Sequence, residues 1–415
     1  MSDVANSAKL TTLDYILSVM DTAQSPLDFA IIFHFNHKLD LEALRRGAYS
    51  ARRRFPTTGC RLLGNMWVRD QHSSEAALET AICRDASTTI EDFINRPIEL
   101  HRDPPVRQLV ASGADEKTIL ITRFHHAAAD GMSAALWLRH QLEVVGEIEP
   151  VEHYVPTFEP PLLKSLKSSL RKSRFAYSGP SDKLATSKTF RSGLRSWETI
   201  VIDATHLRKS IRNVGGFTYS DLLATCALEV YAEWNRLHEP DDNQRISLWL
   251  PMNVRQRPSE GFGNGTSRIR VYATYARDAS FVEKCRDVRR QIEWCTKHGE
   301  WVVPEIRTLV HLPRSLTGPL LRRSLTRRSL DMATGVFSHA DKWNSAADGV
   351  FDSVERIECV GLLHPFHALA INGATHRGKT WLTFTYDNGL LTRSDVTQLK
   401  TLYQQRIDTA LEQLQ

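Results

Sequence analysis

Residues 150–195 are rich in proline, serine and lysine and carry no apolar periodicity, so they read as a crossing linker inside a chain of 415 residues. Single cores usually stop growing near about 250–300 residues, and a break at mid-chain therefore points to two packed lobes. We expect them at 1–180 and 181–415, with the boundary near residue 180. The two halves also share an order of elements. In the first, DFAIIFHF predicts a strand, and LDLEALRRGAYSARRRFP predicts a helix with Asp40 at its N-cap and a stop before Pro56. In the second, WETIVID predicts a strand, and Asp203 caps a helix through HLRKSIRN. Further on, YSDLLATCALEVYAEW predicts a buried helix, while RISLWLP and RIRVYATY predict strands. TWLTFTYD predicts a strand leading into a last helix opened by Thr392 to Asp395. The expected class is α/β (α+β), with a sheet at the centre of each lobe.

Apolar residues make up 41% and charged residues 24% of the chain, the composition of a globular protein. No apolar run approaches the ~18–20 residues of a membrane span, and MSDVANSAKLTTLDY lacks the apolar core of a signal peptide. A monomeric cytoplasmic protein is expected. A net charge of +5 is small for this length, and no nucleic-acid-binding signature accompanies it. The six cysteines are scattered without a CxxC pair, which fits neither a disulfide framework nor a zinc site.

The segment ILITRFHHAAADGMSAALWLRHQL carries the chemistry. A β-type run delivers His125 and His126, a short turn holds Asp130 and Gly131, and an amphipathic helix begins near Ser133. Adjacent histidines of an extended segment point to opposite sides, so only one of them faces a given cavity. Imidazole titrates near neutrality, which suits it to take a proton from a hydroxyl or amine attacking a carbonyl. Asp130 fixes the turn, and Gly131 lets the backbone pass close to a bound molecule. A metal site would need a third ligand, and none suggests itself beside His126 and Asp130. GFGNG lacks the GK[ST] ending of a phosphate loop and reads as a turn. Neither a GxSxG nucleophile elbow nor another nucleophile arrangement stands out, so a covalent acyl-enzyme is not expected. Trp137, Trp234, Trp249 and Tyr231 fall on helical or strand patterns and read as core.

The HHxxxDG pattern resembles that of a superfamily of non-ribosomal peptide condensation domains, chloramphenicol acetyltransferase, wax ester synthases and polyketide-associated acyltransferases. LDLEALRRGAYSARRRFPTTGCRL, the approach DPPVRQLVASGADEKTILITRFHHAAADG and the P-x-x-x-R … G-N segment LWLPMNVRQRPSEGFGNGTSRIRV extend the resemblance loosely over most of the chain. The DFGWG of the plant-type branch is missing. The resemblance implies two chloramphenicol-acetyltransferase-like lobes forming a V-shaped pseudo-dimer with a tunnel between them. It implies His126 as general base, His125 and Asp130 as structural groups, Arg255 as the ion-pair partner of Asp130, and Gly131 beside the thioester. It also puts TGVFSHADKW along the tunnel, making Ser338 and His339 expected substrate contacts. No bound cofactor is expected, because the donor itself carries phosphopantetheine, on an acyl carrier protein or on coenzyme A. The acceptor would be a small hydroxyl compound, giving an ester; amide formation and a non-catalytic carrier-binding scaffold are the alternatives. Two stretches free of acidic residues, one containing Lys167 and Arg171 and the other Arg322 and Arg323, are expected to dock the carrier or coenzyme A.

Overall fold

The computed structural model describes residues 7–69, 78–82, 86–112, 117–147, 181–239, 244–255, 261–274, 278–298, 313–327, 333–341 and 349–414. The first half opens with β1 (Ser7–Lys9), α1 (Thr12–Met20), β2 (Asp28–Phe35) and α2 (Leu41–Arg54). It continues through β3 (Cys60–Leu63), β4 (Met66–Arg69), β5 (Leu78–Ile82), α3 (Ala86–Asn95), β6 (Val106–Ser112), β7 (Thr118–His125) and α4 (Gly131–Val145). The second half begins with β8 (Arg195–Asp203), α5 (Ala204–Val214), α6 (Tyr219–His238), β9 (Ser247–Asn253), β10 (Thr266–Tyr272) and α7 (Phe281–His298). It ends with α8 (Arg314–Arg327), β11 (Gly335–Ala340), β12 (Val354–Val360), β13 (Leu369–His376), β14 (Lys379–Asp387) and α9 (Arg393–Gln413).

Local chemistry sets the helix starts. The Asp40 carboxylate accepts from the Glu42 amide at 2.9 Å, and Asp203 accepts from the Thr205 amide at 2.8 Å. Thr392 and Asp395 cap α9 reciprocally, with the Asp395 amide on the threonine hydroxyl and the Thr392 amide on the carboxylate. The helix after the histidines starts at Gly131, two residues earlier than the periodicity predicts, because Asp130 is itself the N-cap and accepts from the Ser133 amide at 2.9 Å.

Two main sheets form, with strand orders β12-β2-β7-β6-β5 and β10-β9-β11-β13-β14-β8, beside a small sheet β1-β4-β3. The sequence boundary near 180 lies outside the described residues, and the sheets do not follow it completely. β12, from the second half, pairs antiparallel with β2 and completes the first sheet. Alternation then sorts the side chains by face. Ile31, Phe33, Leu120 and Phe124 join Leu44, Trp137 and Leu138 of α2 and α4, while Ile32, Leu109 and Ile121 pack on Phe93 and Ile94 of α3. Each large apolar side chain buried in this way contributes about 1.5–3 kcal/mol. α2 meets α4 closely because residue 47 is glycine; a Cβ there would stand 2.5 Å from the Gln141 carbonyl oxygen.

On the second sheet, Leu248, Leu250, Ile269, Val271, Phe337, Leu369, Ile371, Leu382 and Phe384 face the core built with α5, α6, α7 and α9. The alternate residues, among them Trp249, Ser338 and Asn372, point to the opposite face, where β12 crosses. Trp137, Trp234, Tyr231 and Trp249 are all buried, as expected, with Trp249 on the sheet face opposite the second-half core.

Candidate active site

β7 ends at His125, which stands opposite Asp28 of β2 in register, and the His126 amide donates to the Leu27 carbonyl at 2.8 Å. The two histidines diverge from there. His125 is 1% exposed; its Nδ1 accepts from the Ala127 amide, and its Nε2 lies 3.4 Å from Asp21 Oδ2. His126 is half-buried and turns to Asn264.

The tautomer of His126 follows from its neighbours. One Asn264 Nδ2 proton goes to Asp14 Oδ1 at 2.6 Å and the other to the His126 carbonyl at 2.7 Å, so Oδ1 of that amide acts as the acceptor. It lies 3.0 Å from His126 Nδ1, which must carry the ring proton. Nε2 is left with its lone pair, the state a general base requires. Burial holds the His126 pKa below the ordinary histidine value despite the opposing hydrogen bonds and the Asp130 charge, which keeps the ring neutral at neutral pH. Asp14 is fixed in turn by the α1 capping box, where it accepts from the Thr11 amide. Sequence reasoning missed both Asp14 and Asn264. The signal for Asn264 was the G-N of GFGNG, which does form a turn, with φ +139° at Gly261 and +130° at Gly263.

That loop wraps a fully buried ion pair. Arg255 Nη1 lies 2.8 Å from Asp130 Oδ2, and its Nη2 donates to Ser133 Oγ and to the Gly263 carbonyl. Asp130 also accepts from the Gly265 amide and the Thr266 hydroxyl. Burial alone would raise the Asp130 pKa, but Arg255 and these donors bring it below the usual carboxylate value. Residue 265 must be glycine, since a Cβ would stand 2.5 Å from the Arg255 guanidinium carbon. Gly131 differs: a Cβ there meets nothing within 4 Å, so the space beside the first turn of α4 is open.

The remaining expected residues separate. Ser338 shares a face with Asn372 and Trp249, whereas His339 points to α6, where Ser220 Oγ and Thr375 Oγ1 each lie 2.8 Å from a ring nitrogen. Burial lowers the His339 pKa to about 4, so its ring is a neutral packing group with both nitrogens engaged. Arg322 and Arg323 lie on α8, and Arg323 is exposed. Lys167 and Arg171 lie outside the described residues. Among the described residues no group of three or more His, Cys, Asp or Glu could hold a metal, and no helix is long and apolar enough to cross a membrane.

No family model and no curated protein sequence matches this chain. Solved structures do. The first condensation domain of the CDA synthetase superposes with a TM-score of 0.71 at 12% identity, over 100% of this chain and 98% of that one. The EpoB NRPS cyclization-docking bidomain from Sorangium cellulosum gives 0.70 at 15% identity, over 99% and 85%. The TRI3 trichothecene 15-O-acetyltransferase from Fusarium sporotrichioides gives 0.65 at 11% identity, over 99% and 95%. With its two main sheets, the exchanged strand β12 and near-complete overlap with all three, this chain has the condensation-domain fold, which it shares with an O-acetyltransferase.

Proposed function

We propose that this chain is an acyltransferase that moves an acyl group from a phosphopantetheine thioester, on an acyl carrier protein or coenzyme A, to the hydroxyl of a small acceptor, in natural-product biosynthesis. The observation that carries the reading is the Asp14–Asn264–His126 series, which keeps a proton on Nδ1 and frees Nε2 as a base. The base takes the acceptor proton as oxygen attacks the thioester carbon, and later returns it to the departing sulfur. Asp130 acts indirectly, by holding the turn and the 261–265 loop that carries Asn264. Gly131 opens the space in which the thioester would lie, and Ser338, on the sheet face of Asn372 and Trp249, is the substrate contact this reading keeps. Ester formation is favoured by the likeness to an O-acetyltransferase, and amide formation by the likeness to condensation domains.

Thiol release should be followed with one acyl group presented on coenzyme A and on a carrier protein, each with alcohol and amine acceptors. His126→Ala is expected to lose on the order of 10²–10⁴ in turnover at an unchanged melting temperature. Full activity in that variant would sink the reading. In the same assay, charge reversal at Arg322/Arg323 or Lys167/Arg171 should slow the carrier-bound donor most at low salt if those stretches dock it.

A further inference from the structure

His126 is held through its backbone as well as its ring. Its amide donates to the Leu27 carbonyl at 2.8 Å, and the Leu27 amide donates in turn to Asp21 Oδ1 at 2.7 Å. Asp21 is the C-cap of α1, so this one side chain closes the connection that runs from α1 into β2. Within that connection the Ser25 amide donates to the Thr22 carbonyl at 3.0 Å and to Thr22 Oγ1 at 3.1 Å, and Pro26 stiffens the step into Leu27. The second carboxylate oxygen, Asp21 Oδ2, lies 3.4 Å from His125 Nε2.

That carboxylate also bears on the His125 ring. His125 Nδ1 accepts from the Ala127 amide at 3.1 Å, so a neutral ring carries its proton on Nε2. Nε2 is buried and makes no well-aligned hydrogen bond, and the Asp21 carboxylate is the negative charge beside it. The two motif histidines are thus held in opposite tautomers, His126 on Nδ1 by the Asp14–Asn264 series and His125 on Nε2 beside Asp21. Both carboxylates come from α1, Asp14 from its first turn and Asp21 from its C-cap, about two turns apart. The helix is firmly seated: Tyr15, Leu17 and Val19 share a buried cluster with Leu27, Ala127 and Ala128, and Arg314 of α8 stands over the Tyr15 ring at 5.5 Å. We propose that Asp21 is a positioning residue for acyl transfer, which fixes Leu27 and the His125 tautomer and thereby the backbone from which His126 presents Nε2. This rests on the acyl-transfer reading above. The position calls for aspartate because both groups that face it are donors, the Leu27 N–H and the His125 Nε2–H. Asparagine has one acceptor oxygen, so its NH₂ would be set against the other donor. A displacement of about 1 Å in a catalytic group is enough to cost on the order of 10² in rate.

The test compares Asp21→Asn with Thr22→Ala, which removes a hydroxyl bonded to the Ser25 amide in the same connection and touches neither histidine. With a donor and acceptor that the wild-type chain turns over, Asp21→Asn is expected to lower kcat at least about tenfold with KM within about twofold, while Thr22→Ala keeps both. Melting temperatures of the two variants control for folding. Ring-nitrogen NMR of isotope-labelled histidine should show His125 protonated on Nε2 in the wild type and moved toward Nδ1 in Asp21→Asn. A wild-type His125 protonated on Nδ1 overturns the inference even if the variant fails to fold. Unchanged kcat in Asp21→Asn, or a loss that Thr22→Ala reproduces, also overturns it, and wild-type turnover then leaves the acyl-transfer reading standing. Absence of wild-type turnover with every donor and acceptor overturns that reading and this inference together.

Discussion

Two buried carboxylates near the motif are paired with arginine, and they do different work. Asp130 meets one guanidinium, Arg255, and fills its remaining acceptor positions with the Ser133 and Gly265 amides and the Thr266 hydroxyl. Asp28 meets two, Arg123 from β7 at 2.8 Å and Arg195 from β8 at 3.1 Å. The surplus positive charge at Asp28 is spread over backbone carbonyls: Arg123 donates to Phe93 and Arg195 to Ile94, both at 2.6 Å. Asn95 and Arg195 also bond reciprocally through an amide side chain and the main chain. The Asp130 pair holds a loop that positions the base, while the Asp28 cluster clasps the first-half sheet to the first strand of the second half. Burial penalises both carboxylates, yet in each case the arginines prevail and lower the pKa. Each therefore adds stability above its unfolded value of about 4, and this is lost as pH falls through the lower folded value.

That contrast can be broken by experiment. Asp28→Ala strands two buried arginines and should cost at least about 3–5 kcal/mol, seen in denaturant unfolding as a large drop in midpoint or loss of the folded state. Asp130→Ala strands one arginine, which keeps the Gly261 and Gly263 carbonyls, so it should cost less stability but more turnover per folded molecule. A larger stability loss at Asp130 than at Asp28 would reverse the assignment of clasp and site.

A smaller effect sharpens the Asp130 side. Protonating His126 removes the base, so kcat/KM should hold steady at neutral pH and fall on acidification, with its inflection below the ordinary histidine value because the folded pKa is lowered. Asn264 opposes that lowering. Asn264→Ala should therefore move the inflection further down and, by freeing the tautomer, reduce kcat on the order of tenfold. An unmoved inflection would mean that Asn264 merely packs. Least of all, Ser338→Leu should raise KM a few-fold at constant melting temperature. His339→Leu should cost about 1–3 kcal/mol by leaving the Ser220 hydroxyl without its ring partner while Thr375 keeps Thr380, with kinetics unchanged. Kinetic loss in His339→Leu would return that residue to the substrate path.

The amino-acid sequence alone determined the parts set by neighbours along the chain. Alternation and capping signalled the strand at Asp28–Phe35, the helix after Asp40 and the helix opened by Thr392, because period and N-cap act within a few residues. HHxxxDG singled out His126 and its turn for the same reason, since its residues lie within one strand end and one helix start. Tertiary structure decided everything that joins distant segments. β12 lies more than three hundred residues from β2 in the chain, and its own alternation does not name a partner. The proton on His126 Nδ1 depends on Asp14 and Asn264, 250 residues apart in sequence, whose three hydrogen bonds exist only after folding. Ser338 and His339 were expected to contact substrate together, because the resemblance puts their whole segment along the tunnel. The sheet pleat separates the two, leaving Ser338 on the face of Asn372 and Trp249 and turning the imidazole toward α6, because facing is fixed only when a strand is seated between neighbours on both sides.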